Sequence, residues 1–184
     1  MLKVTIPCHL LISWHLARKL APDVPARRWI GWAGVLPDLD GAGLLVDYGT
    51  GRTNYYEQWH HLLGHNFFAG LLLAGLAGLF CRSLAIGFWA GVSFHFHLVA
   101  DLISGRGPDG FGWPIVYGWP VSAREWQWSG QWRLDAWPNT AVFLALLAWA
   151  LAIATRSGRS PLELVSTRVD RRVIAAFASV WKSG

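Results

Sequence analysis

A chain of 184 residues holds one domain of ordinary size, which excludes a multidomain enzyme. Apolar residues make up 53% and charged residues 15%, with 13 Trp and a mean hydropathy of +0.31, so too few polar residues remain to cover a water-soluble globule. Membrane residence is the leading class. Sixteen Lys and Arg against eleven Asp and Glu give +5, but the excess sits in patches beside apolar stretches, which argues against nucleic acid as a partner. Cys8 and Cys81 lie in different apolar segments without a Cys-x-x-Cys, so neither a disulfide scaffold nor a thiolate metal site is indicated.

The first apolar segment, Val4 to Ala17, carries His9 and His15. With one Lys and no small-x-small cleavage site before Pro22, it is expected to be a retained helix and not a signal peptide. The second, Trp29 to Val46, is interrupted by Pro37, Asp38 and Asp40. Both make poor lipid-facing helices and fit better inside a bundle, with polar residues turned inward. Three charge-free runs follow: 16 residues from Asn66 to Cys81, 18 from Ser83 to Ala100 and 20 from Ala136 to Thr155. A helix crossing roughly 30 Å of hydrocarbon needs about 20 residues, so three spans are expected. Residues 104–137 are rich in Gly, Pro and Trp, including Trp113, Trp119, Trp126, Trp128, Trp132 and Trp137, and read as an interfacial belt that either anchors only or also covers a site.

The tail, residues 157–184, is basic and amphipathic. Ser160, Pro161 and Glu163 read as the N-cap, N1 and N3 of a helix, and Val169, Val173, Phe177 and Val180 recur at helical spacing beside Arg168, Arg171 and Arg172. A membrane-surface helix and simple docking on the bundle are both open. If five segments alternate in direction, residues 18–28, Arg82 and 156–184 share one side and hold 11 of the 16 basic residues, which makes that side cytoplasmic. The fold expectation is therefore all-α: a polytopic membrane helix bundle of four to five helices over residues 1–156, plus a C-terminal amphipathic helix on the cytoplasmic side.

The imidazoles and carboxylates fall at the opposite ends of these segments. His97 and Asp101 are four apart and project from one helical face, so both can reach one metal, or one can ligate while the other orients it; His95 points elsewhere. His60, His61 and His65 precede the first long run, with His61 and His65 expected on one helical face. Asp38 and Asp40 follow Pro37 on a turn, where two carboxylates can converge on one cation or bridge two. His9 lies closer to this end than His15. Imidazole and carboxylate without thiolate suit zinc first, then manganese or iron, in a one- or two-metal hydrolytic site, where an ion brings the pKa of bound water near neutrality. Gly105 to Gly110 matches G-x-G-x-x-G but follows an apolar helix and contains Pro108, so it is not a nucleotide motif. A haem held between His65 and His97 is an alternative that leaves the carboxylates unused.

Taken in order, Cys8-His9, Leu36-Pro37-Asp38-Leu39-Asp40, His60 to Asn66 and His97 to Asp101 resemble motifs of the YdjM-like family of bacterial inner-membrane proteins, held to be metal-dependent hydrolases. The resemblance covers residues 5 to 122. It departs at Cys8, where the family has Thr, and at His61, Leu62, Gly64 and Asn66 of the third motif. It implies a multi-pass protein of the bacterial inner membrane. It further implies that His9, Asp38, His60 or His61, His65, His97 and Asp101 bind one or two divalent ions. The resemblance itself settles no substrate; the convergence of these residues makes Asp40 a bridging ligand or the catalytic base, and the expected substrate an ester or phosphoester that is a small molecule or lipid-linked.

Overall fold

The first helix, α1 (Thr5–Leu20), leads through a short turn to α2 (Val24–Ala33). Asp23 starts α2 by accepting the Ala26 N–H at 2.8 Å, and Pro25 occupies the first turn, where a missing N–H leaves no bond unmade. The computed structural model describes residues 5–107 and 110–182; the first residues of the α1 segment, Pro108 and Asp109 of the rejected glycine motif, and the last two residues lie outside it. Among the described residues all regular structure is helical, and only two isolated bridges, Arg106 with Arg133 and Ile115 with Trp126, tie the Trp-rich segment together.

The predicted segment from Trp29 to Val46 is not one helix. Helix α2 begins earlier and stops at Ala33; Gly34 caps it, and Pro37 opens a 3-10 turn over Leu36–Ala42. Helices α3 (Gly43–Thr50) and α4 (Tyr55–Trp59) follow, both short. Helix α5 (Phe67–Phe80) starts where the Asn66 side chain accepts the Ala69 N–H at 2.9 Å, and a turn through Arg82 leads to α6 (Leu84–Ser104). After the Trp-rich segment come α7 (Trp137–Ser157), a 3-10 turn at Pro161–Leu164 and α8 (Thr167–Lys182).

Helices α6 and α7 have 21 residues each and are long and apolar enough to cross a membrane. Helix α5 is as apolar but holds only 14 residues between its Asn66 cap and the Arg82 turn, so the third expected span is too short to cross alone. Helix α7 leaves Val142, Leu144, Trp149 and Leu151 facing outward, and its most apolar stretch is only 17% buried.

Helices α5 and α6 pair as a hairpin, with α1 and α2 packed on it and α7 against α1. An alanine-rich core of Ala17, Ala21, Ala26, Ile30, Ala77, Ile86 and Ala90 lets α1, α2, α5 and α6 approach closely at one end. At that same end the tail is fastened. Arg27 binds Glu163 through two bonds of 3.1 and 3.0 Å, and the Trp14 indole donates to the same carboxylate at 3.0 Å. Glu163 is thus turned inward and does not cap a helix as its spacing suggested; Ser160 caps only the short 3-10 turn, and α8 starts at Thr167. The opposite end of α1, α2 and α6 carries His9, the Asp38 turn, His97 and Asp101.

Candidate metal centre

His97 and Asp101 project together from α6, as their spacing predicts, and lie 3.0 Å apart from Nε2 to Oδ2. His65 reaches the same point from the loop before α5, with its Nε2 3.1 Å from His97 Nε2 and 3.3 Å from Asp101 Oδ2. Asp38 arrives from the 3-10 turn, with Oδ1 at 3.6 Å from His97 Nε2 and 4.0 Å from His65 Nε2. These four donors lie within 4.8 Å of one another, and all but Asp38 are buried. A tetrahedral ion with bonds of roughly 2.0–2.1 Å has donor–donor edges of about 3.3 Å; the His65, His97 and Asp101 atoms, 3.0 to 3.3 Å apart, are near that spacing and Asp38 lies farther out, so the group could hold a metal ion.

The protons of the two imidazoles are accounted for on their far sides. His97 Nδ1 is 3.0 Å from the Gly34 carbonyl and His65 Nδ1 is 2.9 Å from Asp40 Oδ2; both acceptors take a proton, so in the neutral rings each Nε2 presents a lone pair. Two lone pairs then face each other beside the Asp101 carboxylate, whose buried Oδ2 makes no aligned hydrogen bond among the described residues. Such an arrangement demands a cation: a metal ion or a proton on one ring. Burial opposes charge on His65, yet the carboxylates of Asp101 and Asp40 outweigh it and hold the imidazole up at about 9.

Two glycines let these segments approach. A Cβ on Gly34 would sit 2.7 Å from Ser93 Oγ and would also collide with Ser13 Oγ, so only glycine brings the α2 carbonyl to His97. At Gly64 a Cβ would meet the Pro37 carbonyl, and the Gly64 N–H donates to Asp40 Oδ2 at 2.9 Å, joining the second and third motifs.

The remaining sequence-predicted residues surround the four donors. His9 brings Nε2 to 3.1 Å from Asp101 Oδ1 and packs its ring 3.9 Å from that of His97, while His15 lies elsewhere, stacked on Trp149. His60 and His61 both stand outside the four-donor group. His60 Nδ1 bonds Asp40 Oδ1 at 2.8 Å, and His61 stacks on His65 at 4.3 Å. Residues 60–66 are not helical: His61 takes a left-handed φ of 65°, so turn geometry and not a shared helical face brings it to His65. Burial, with the charge on His65 next, pushes the His61 imidazole down to about 3 and keeps it neutral. Both oxygens of Asp40 are engaged behind the site by His60, His65 and the Gly64 N–H.

The Trp-rich segment closes over this end. Trp113 packs 5.0 Å from His60 and 5.3 Å from His61, and Ile115 is buried with Phe94 and Leu98 of α6. Gln131 donates to the Asp101 carbonyl at 2.7 Å. Gly34 and Gln131 carry no signal in the sequence, because each acts on a ligand-bearing helix through the backbone. His95 points away from the site and bonds the Tyr117 hydroxyl at 2.8 Å.

No family model, curated protein or solved structure matches the chain.

Proposed function

We propose that the protein is a metal-dependent hydrolase of the bacterial inner membrane, acting on an ester or phosphoester of a membrane or envelope molecule. The observation that carries the reading is the pair of imidazole Nε2 atoms 3.1 Å apart beside a buried carboxylate, with the Gly34 carbonyl and Asp40 on the far sides of the rings. Asp38, His65, His97 and Asp101 hold one divalent ion, zinc being the first choice for a set of imidazole and carboxylate donors. When bound, the ion polarises the scissile group and makes water acidic enough to attack. Asp38, the donor not fully buried, marks the side from which substrate approaches. His9 has no aligned hydrogen bond at either ring nitrogen among the described residues and is the group assigned to take the water's proton. Asp40, with both oxygens engaged, positions His65 and His60. The motif order resembling the YdjM-like family and the two membrane-length helices support the same reading, with a multi-pass topology and a cytoplasmic C-terminus following from the charge distribution.

A haem between His65 and His97 is disfavoured. Opposed imidazoles on one iron need Nε2 atoms about 4 Å apart, at roughly 2 Å per bond, with a porphyrin between them; here the atoms are 3.1 Å apart and carboxylates fill the flanks.

The test is elemental analysis of detergent-purified protein, followed by stripping, reloading with zinc, manganese or iron, and assay on aryl ester, phosphodiester and phospholipid substrates. One bound ion per chain is expected, with hydrolysis that Asp101→Asn abolishes along with metal and that His9→Gln lowers about a hundredfold or more with metal retained. Protein that binds metal but hydrolyses none of these classes is a metal-binding protein of another kind; protein that binds no metal ends the proposal.

A further inference from the structure

We infer that the tail helix α8 is a docking surface for an anionic membrane leaflet. The inference rests on the membrane reading above, though not on the metal centre. Both acids of residues 157–184 are turned inward: Glu163 is 2% exposed and bound by Arg27, and Asp170 is 4% exposed and accepts from the Ser160 hydroxyl and N–H. Among the described side chains the charged groups left at the surface here are therefore cationic, with Arg159, Arg168, Arg171 and Arg172 exposed and Arg156 beside them at the end of α7.

Apolar side chains share that surface. Val165, Val169 and Phe177 are 64%, 46% and 63% exposed, with Val173 half-buried between them. Val169, Val173 and Phe177, four apart, draw one stripe along α8, with Val165 just before its start, and Arg168 and Arg172 run beside it. The Asp170 bond to Ser160 fastens the start of the helix, and beyond it Phe177, one helical repeat further along the same face, is left exposed, with Val169 exposed at its flank.

Position and charge select the occupant. Helix α7 is long enough to cross the hydrocarbon, and Gly158, in a left-handed turn at φ 64°, reverses the chain directly after it. The clasp of Arg27 and Glu163 then holds the start of the tail against α1 and α2. This places α8 at headgroup depth, where an apolar stripe enters the acyl boundary and flanking arginines meet lipid phosphates. A second copy would set arginine against arginine, and a nucleic acid would leave the apolar stripe in water.

The test uses the full chain with Cys8→Ala and Cys81→Ala and an environment-sensitive fluorophore on Phe177→Cys, with Val169→Cys as a second reporter. It is reconstituted into phosphatidylcholine vesicles with or without phosphatidylglycerol. In anionic vesicles the emission shifts to the blue and is quenched by lipid-borne quenchers but not by iodide. Changing Arg168, Arg171 and Arg172 to Gln lowers the docked-to-undocked ratio on the order of fivefold per arginine, while flotation with the vesicles is unchanged. A label equally water-exposed in both vesicle types overturns the proposal, as does a blue shift that grows with protein concentration in detergent, the mark of a second copy. A chain that fails to float overturns the membrane reading and this inference together, and leaves the metal centre standing.

Discussion

Gly34 supports the candidate centre without offering a donor to it. His97 offers Nε2 to an ion only while its Nδ1 proton has a fixed acceptor, and that acceptor is the Gly34 carbonyl at 3.0 Å. Gly34→Ala forces its Cβ into Ser13 and Ser93, moves the carbonyl or α6, and is expected to weaken metal binding about 10–100-fold without removing a donor. Asp40→Asn belongs to the same class, since it weakens the hold on the Nδ1 atoms of His60 and His65. Asp101→Asn, by contrast, removes a donor and should abolish tight binding. Chelator-competition titration separates the two outcomes; if Asp40→Asn is as damaging as Asp101→Asn, Asp40 is itself a ligand.

Among the elements, the 3-10 turn at Pro161–Leu164 shows how far a local pattern can mislead. Ser160-Pro161 and Glu163 carry a helix-start signature, yet Glu163 lies between Arg27 and Trp14, 136 and 149 residues away in sequence. Glu163→Gln leaves the Arg27 charge buried against a neutral partner and is expected to cost about 3–5 kcal/mol, whereas Arg27→Met with Glu163→Leu should cost much less. Thermal unfolding of the two variants in one detergent checks the order. The same distinction decides what was legible elsewhere. His97 and Asp101 were readable because a helix of fixed pitch enforces their relation, and Pro37 because it breaks a helix wherever it stands. His60 and His61 were not, since the 60–66 turn and its left-handed His61 depend on Asp40, Gly64 and Trp113 closing around it. The membrane-length runs at α6 and α7 followed from absent charge alone, and the shortness of α5 followed from a cap that competes with it.

At the scale of the whole molecule, the proposed centre would make stability depend on which cation fills it. Without metal, one proton on His65 relieves the confrontation of lone pairs, and the neighbouring carboxylates hold that imidazole up at about 9, above its ordinary 6.5. A folded-state pKa raised above the unfolded one contributes stability that is fully present below pH 6.5 and is lost as pH rises through 9. Metal-free protein should therefore unfold at progressively lower temperature from pH 6.5 to 9. The ion must displace that same proton, so below pH 9 metal affinity should climb by up to about tenfold per pH unit. The two trends oppose each other, and the gap in unfolding midpoint between metal-loaded and stripped protein should widen with pH across this window. His65→Gln carries no titrating group at that position and should flatten the metal-free profile. A stripped wild-type chain whose midpoint is level or rises between pH 6.5 and 9 would mean that His65 is not the proton holder, and that the lone pairs are kept apart by some other rearrangement of the site.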